Sequence, residues 1–252
     1  MGEERRIVAV FAVRHAESVA NRIKNADPLA YYKRAMLDDV DHASSDRLRD
    51  CILTREGMQA SLDKSAEAKG GFETAGKGVE GCTLLCVSPM ARTILTACLL
   101  YSELQQSGAD VKVTLEPSCI ESITAPHDIV EDIGRPMSVV FLEVRDVLRE
   151  FDAPAGAFTL LDKLEVAGVG LDDLWWFKLA APGQLPVRVL ESGADERRQA
   201  MSAAVSAALA RHAADDVRRV VIVGHWGVLR NLSRNDDAKI PNLLSIEVTD
   251  LI

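Results

Sequence analysis

The stretch 7-IVAVFAVRHAESVAN-21 opens with seven consecutive apolar residues, Ile7 to Val13, and then breaks into Arg14, His15, Glu17 and Asn21. A short continuous apolar run with β-branched residues reads as a strand covered on both faces, the kind found in parallel sheets flanked by helices. Open sheets of that kind collect ligands at the carboxyl ends of their strands. A cation, an imidazole, a carboxylate and an amide at such an end therefore read as chemistry rather than as a solvated turn.

Four further stretches carry the strand pattern: 83-TLLCV-87, 111-VKVTL-115, 219-RVVIV-223 and 244-LSIEV-248. Helix signals lie between them. Thr54 is placed to cap a helix running from Arg55 towards Lys69, and Ser88-Pro89 combines a capping hydroxyl with a proline suited to the first helical position. Gly108 is a natural stop for that second helix. Met201, Val205 and Leu209 recur every fourth residue, which predicts a helix over about 196–212. Alternating strands and helices predict an α/β protein, a three-layer α/β/α sandwich with a mostly parallel central sheet. Residues 1–252 read as one domain, with insertions at about 22–50 and 152–190. The first contains Tyr31 and Tyr32, the second Trp175, Trp176 and Phe177, and both are expected to form loops or small helices over a site. The aromatic cluster fits packing or a substrate-facing lid.

The composition excludes several classes of function. Lys and Arg number 29 against 38 Asp and Glu, and a net charge of -9 opposes broad attraction to nucleic acid or anionic membrane. It leaves room for a local cationic pocket. No apolar stretch is long enough to cross a bilayer. Arg5 and Arg6 before the first run imitate a signal segment, but Arg14 interrupts it and no small-residue cleavage site follows. Met1-Gly2 resembles a myristoylation start, yet Arg6 stands where Ser or Thr is expected. Cys51, Cys82, Cys86, Cys98 and Cys119 are odd in number, lack Cys-x-x-Cys spacing and lie in apolar surroundings. Reduced buried thiols in a cytoplasmic protein are the expectation. The histidines and cysteines show no ligand spacing, so neither a metal nor a cofactor is predicted.

Three of the strands end directly in polar residues: 13-VRHAE-17, 87-VSPMART-93 and 223-VGHWGVLR-230. If these strands are neighbours, Arg14, His15, Arg92 and His225 converge. Arg92 then sits in the first turn of its helix, where amide groups and the helix dipole favour an anion. Two arginines can grip a phosphate while an imidazole attacks phosphorus.

The ordered set of motifs resembles the histidine phosphatase superfamily, which includes the cofactor-dependent phosphoglycerate mutases. Arg14-His15-Ala16-Glu17-Ser18 with Asn21 is similar to the opening R-H-G-E-S-x-x-N, departing at Ala16, where glycine is common. Asp50, Leu53, Thr54, Gly57, Gln59 and Ala60 resemble D-x-x-L-T-x-x-G-x-x-Q-A. Ser88, Pro89, Arg92, Thr93, Thr96 and Ala97 resemble S-P-x-x-R-T-x-x-T-A, and Gly224-His225 with Gly227 completes the order. The motif-bearing parts span 7–232. The resemblance implies the fold of that superfamily and a metal-independent phosphatase in which His15 carries a transient phosphohistidine. It also implies that Arg14, Arg92 and His225 bind the phosphoryl oxygens, that Asn21 adds a donor to phosphate or substrate, and that Glu17 orients His15 or an arginine.

A leaving alkoxide needs a proton, and a partly buried carboxyl group can supply it. Glu121 is the choice, because the resemblance places the acid after the Arg92 helix and 121-ESITAPHDIVEDIG-134 is similar to the corresponding string in some fungal and protist relatives. Asp128, Glu131 and Asp132 are substitutes. The expected substrate is a small phosphomonoester or a phosphoprotein. Other readings are a mutase-type phosphotransferase, for which a second set of phosphate-holding basic residues is unmatched, and a phospho-ligand binding module without turnover. A cysteine-dependent phosphatase loop from Cys86 to Arg92 has the right spacing, but Pro89 donates no amide and Cys86 falls within a strand. His42 lies in an irregular polar segment, His127 beside Asp128 reads as a surface-loop residue with contact to substrate as the alternative, and His212 reads as a helix C-terminal residue.

Overall fold

Alternation along the strands sets the layers. The computed structural model describes residues 9–29, 31, 50–74, 81–119, 134–169, 171, 194–233, 241–243 and 245–248. Its strands are β1 (Ala9–Arg14), β2 (Cys82–Val87), β3 (Val111–Leu115), β4 (Val217–Gly224) and β5 (Ser245–Glu247), ordered β3-β2-β4-β1-β5 in one sheet. β1 to β4 run parallel, and β5 joins β1 antiparallel at the edge.

Successive residues of a strand point to opposite faces, and each face has its own core. Val13, Leu85, Val87, Val221 and Val223 join one cluster, together with α2 (Arg55–Asp63), α4 (Ala91–Leu100), α6 (Met137–Glu150) and α7 (Ala155–Ala167). Val10, Ala12, Leu84, Cys86, Val220 and Ile222 join the other, with α8 (Ala194–Arg211) and α9 (Trp226–Ser233). This is the expected three-layer α/β/α arrangement with a mostly parallel sheet. Three further helices, α1 (Val19–Ala26), α3 (Ser65–Thr74) and α5 (Ser102–Gln106), and a helical turn at Pro117–Cys119 are also described.

The five strands lie where the apolar runs put them, while the helices correct the reading in places. The single helix expected after Thr54 is divided at Lys64 into α2 and α3. Ser88 does not cap α4. The helix begins at Ala91 with Met90 as N-cap, because the Ser88 hydroxyl is engaged by His225 and its carbonyl accepts the Thr93 hydroxyl at 2.7 Å. Nothing in the sequence reading assigned α6, although Met137, Val140, Phe141, Val144 and Leu148 line its buried face. Exposed Val139 and Leu142 on the same helix blur that stripe. The stretch 152–190 begins with α7, whose Leu160, Leu161 and Leu164 are fully buried, each contributing about 1.5–3 kcal/mol. That part is a layer of the core rather than a cover over a site. Trp175, Trp176 and Phe177 lie outside the described residues.

Candidate active site

The order β2-β4-β1 makes neighbours of the three strands that end in polar residues. Register keeps their ends level, with Arg14 opposite Gly224 and Val87 opposite Val223. The pairing continues one step beyond the strands: His15 N donates to Gly224 O and Ser88 N to Val223 O, both at 3.0 Å. His15, Ser88 and His225 thus leave the sheet side by side. Arg92 comes in from the second position of α4 and is 2% exposed.

The imidazole rings of His15 and His225 lie 5.1 Å apart, edge to face at 61°. Their hydrogen bonds determine the tautomers. His15 Nδ1 is 2.6 Å from Ala16 O; a carbonyl only accepts, so Nδ1 carries the proton and the lone pair is on Nε2. His225 Nδ1 is 3.2 Å from an Arg92 guanidinium nitrogen, which only donates, so this Nδ1 accepts. Nε2 of His225 then donates to Ser88 Oγ at 3.1 Å. Burial, then Arg92 and Arg14, hold the His15 imidazole well below its ordinary 6.5, opposed by the bond to Ala16. Burial, Arg92, His15 and Arg14 do the same to His225. The resting site is two neutral imidazoles beside two guanidinium charges, a cationic spot in a chain of net charge -9. Such a spot suits an oxyanion, and His15 Nε2 suits attack on it.

Much of what the other motif residues do is to hold this arrangement. Ala16 N donates to Thr96 Oγ1 at 3.0 Å, and that hydroxyl donates to Arg92 O at 2.7 Å, which ties the His15 loop to the Arg92 helix. Ala16 is not among the residues with positive φ, so the alanine fits without a glycine conformation. Leu53 is buried, and segment 52–54 pairs with 17–19: Val19 N donates to Ile52 O and Thr54 N to Glu17 O. Thr54 caps α2 through Gly57 N at 3.0 Å. Gly57 lets that helix approach the loop, since a Cβ there would stand 2.3 Å from Glu17 O.

Among the described residues the Glu17 side chain bonds to neither His15 nor Arg14 nor Arg92. Its carboxylate accepts from Arg22 at 2.6 Å and from the Thr54 hydroxyl at 3.0 Å. Asn21 forms a capping box with Ser18, and its Oδ1 also accepts from Asn242. Asp50, which the sequence reading gave no role, accepts Ala91 N at 2.7 Å at the start of α4. His212 follows the end of α8 and pairs with Asp215 at 3.0 Å. Glu121, His127, Asp128, Glu131, Asp132 and His42 lie outside the described residues.

Cys86 belongs to the core formed with α8 and α9, on the face opposite Val87, and burial pushes its thiol up to about 12. A buried thiol of that acidity is a poor nucleophile, which removes the cysteine alternative. All five cysteines are buried thiols. Among the described residues no cluster of three His, Cys, Asp or Glu could hold a metal ion, and no helix is long and apolar enough to cross a membrane.

No family model and no curated protein matches the chain. Among solved structures it is similar to the ecdysone phosphate phosphatase from Bombix mori in complex with tungstate, at 17% identity over 95% of this chain and 88% of that one, with a TM-score of 0.48. It is also similar to phosphoglycerate mutase from Bacillus anthracis, at 15% identity over 97% and 89% of the two chains, with a TM-score of 0.45.

Proposed function

We propose that this chain is a metal-independent phosphatase of the histidine phosphatase superfamily that hydrolyses a phosphomonoester through a phosphohistidine on His15. The observation that carries this reading is the proton inventory of the imidazoles. His15 is held neutral by burial and by the charges of Arg92 and Arg14, and its Nδ1–H is fixed on Ala16 O, which leaves the lone pair on Nε2.

In the first step Nε2 attacks phosphorus and the bond from phosphorus to the ester oxygen breaks. Arg14, Arg92 and His225 stabilise the charge on the three transferring oxygens, a positioning and electrostatic task. Arg92 is already oriented by its contact with His225, which limits reorganisation when phosphate arrives. The leaving oxygen takes a proton from Glu121. Water then attacks the phosphohistidine, giving up a proton to the same carboxylate, and inorganic phosphate leaves. Asn21 adds a donor to phosphate or substrate through its amide nitrogen. Support for Glu121 comes from the chain preceding it. β3 is followed by a helical turn, Pro117–Cys119, and the Cys119 carbonyl packs against Gly224, next to His225.

The test is a burst experiment with an aryl phosphate and an alkaline quench. Wild type accumulates alkali-stable, acid-labile phosphate on the peptide containing His15, with turnover unaffected by chelator. His15→Ala, checked for folding by circular dichroism, gives neither label nor turnover. Turnover by the folded His15→Ala protein would refute the mechanism. A phosphometabolite and phosphopeptide panel ranked by kcat/KM then identifies the substrate class.

A further inference from the structure

Asp50 stands apart from the groups that meet phosphate. Its side chain is wholly buried and its φ is +44°, a left-handed conformation in which Asp and Asn are enriched. Oδ1 accepts Ala91 N–H at 2.7 Å. Ala91 is the first residue of α4, and the helix's own N-cap, Met90, has no side chain able to do this. The cap is thus supplied from a distant part of the chain, and it is anionic, as a helix N-terminus favours. Oδ2 accepts no hydrogen bond among the described residues and faces Arg135 Nε at 3.6 Å. Arg135 also donates to the Asp50 backbone carbonyl at 3.2 Å and pairs with Glu143 of α6.

This arrangement selects a carboxylate. Donors stand on both sides of the side chain, an amide N–H on one and a guanidinium on the other, and only a carboxylate offers an acceptor to each. Asparagine, of the same shape, must turn its NH₂ group towards one of the two donors. Arg92, the residue after Ala91, lies close enough for its charge to act on the Asp50 carboxyl group.

We propose that Asp50 is a positioning residue: held by Arg135, its carboxylate fixes the first turn of α4 and so sets the Arg92 guanidinium against His225. The kinetic consequence rests on the phosphatase reading, whereas the structural consequence at His225 does not. Burial, opposed by Arg92, Arg135 and Ala91 N–H and aided by Glu143, pushes the carboxyl group up to about 7. Its charge is therefore lost on mild acidification, while Arg92 from α4, Arg135 from the segment before α6 and Glu143 from α6 all face it.

The test uses the full chain and Asp50→Asn, with an activated aryl phosphate that is dianionic over the pH range studied. Two readouts are taken: the ¹⁵N resonance of His225 Nδ1 in the phosphate-free protein, and kcat/KM against pH. In Asp50→Asn the Nδ1 resonance is expected to move towards that of an acceptor without a donor. kcat/KM should fall about 10- to 100-fold, the scale of a misplacement near 1 Å, and most of the loss should be in kcat. The acid limb near 7 expected of wild type should flatten, and Asp50→Asn should add less than about twofold to the loss in an Arg92→Ala background. A wild-type His225 resonance with wild-type kcat/KM would overturn the proposal, as would full additivity with Arg92→Ala. If Asp50→Asn does not fold, Arg135→Gln carries the same readouts and the same criteria. If wild type hydrolyses no ester, the phosphatase reading fails, and the His225 resonance alone decides whether Asp50 positions Arg92.

Discussion

Gly57 is the position at which a single methyl group tests how the His15 loop is held. An added Cβ would lie 2.3 Å from Glu17 O and 3.1 Å from Glu17 N, both backbone atoms, whereas real Cβ contacts essentially never fall under 3.0 Å. Relief requires about 0.7 Å of retreat by α2 or by the loop. The Thr54 N to Glu17 O bond, at 3.0 Å, lies on the path of that movement. Leaving its partly buried groups unsatisfied costs about 1–3 kcal/mol, offset by about 1 kcal/mol from the better helix propensity of alanine. Gly70 is the control. It lies within α3, a Cβ there meets nothing within 4 Å, and alanine should stabilise by about 0.5–1 kcal/mol. For a chain of this size 1 kcal/mol moves Tm by about 2–4 °C. Gly70→Ala should therefore raise Tm by about 1–4 °C with unchanged turnover, whereas Gly57→Ala should lower it by a few degrees. Because Glu17 is two residues from His15, the same retreat displaces His15, the proposed nucleophile, and should lower kcat by about 10-fold or more. The assay is differential scanning calorimetry with steady-state hydrolysis of an aryl phosphate. Wild-type Tm and kcat in Gly57→Ala would refute the argument that this close approach holds the loop.

Cys86→Ala should lose stability through a buried cavity but keep its turnover, and loss of activity in a folded variant would return Cys86 to the mechanism. Glu121→Gln should sharply lower kcat for an alkyl phosphate, by the 10²- to 10⁴-fold that an acid contributes, and much less for an activated aryl phosphate. Equal losses, without accumulated phosphohistidine, would move the acid to Asp128, Glu131 or Asp132. The imidazoles make a prediction about stability. His15 and His225 are held below 6.5 in the folded chain, so from 6.5 downward the unfolded chain binds protons that the folded chain refuses. Stability from this source is fully present above 6.5 and is lost as pH falls towards the depressed values. Asp50 acts with the opposite sign, so urea unfolding of Asp50→Asn between pH 8 and 5 isolates the effect; a flat profile would count against two buried neutral imidazoles.

The sheet and the centre of the site were legible because both are written in contiguous sequence. Five apolar runs mark five strands, and three of them end in the residues that meet in space. What sequence reasoning missed depends on contacts between distant segments. The capping role of Asp50 depends on a contact with Ala91, 41 positions further along the chain. Glu17 looks like a partner for His15 by proximity in the chain, but Thr54 and Arg22 reach its carboxylate from the next two elements. α6 was hidden because apolar residues on its exposed side obscure the stripe on its buried one. The Gly, Pro and Ala around α7 resemble loop composition and conceal that its leucines are core residues.

The position of β4 has a consequence for how the chain acquires its fold. β1 and β2 do not pair with each other; each pairs with β4, and Ala9 meets Arg219 only after most of the polypeptide has been made. Until β4 is inserted between them, both strands carry an unpaired apolar edge, the kind of surface that recruits other chains. Synthesis and refolding should therefore share a late, entropically costly closure, after which the sheet is complete and the polar ends of β1, β2 and β4 are brought together in the same event. Refolding yield should fall with rising protein concentration and recover when a chaperone or a low dose of denaturant keeps the half-built sheet apart.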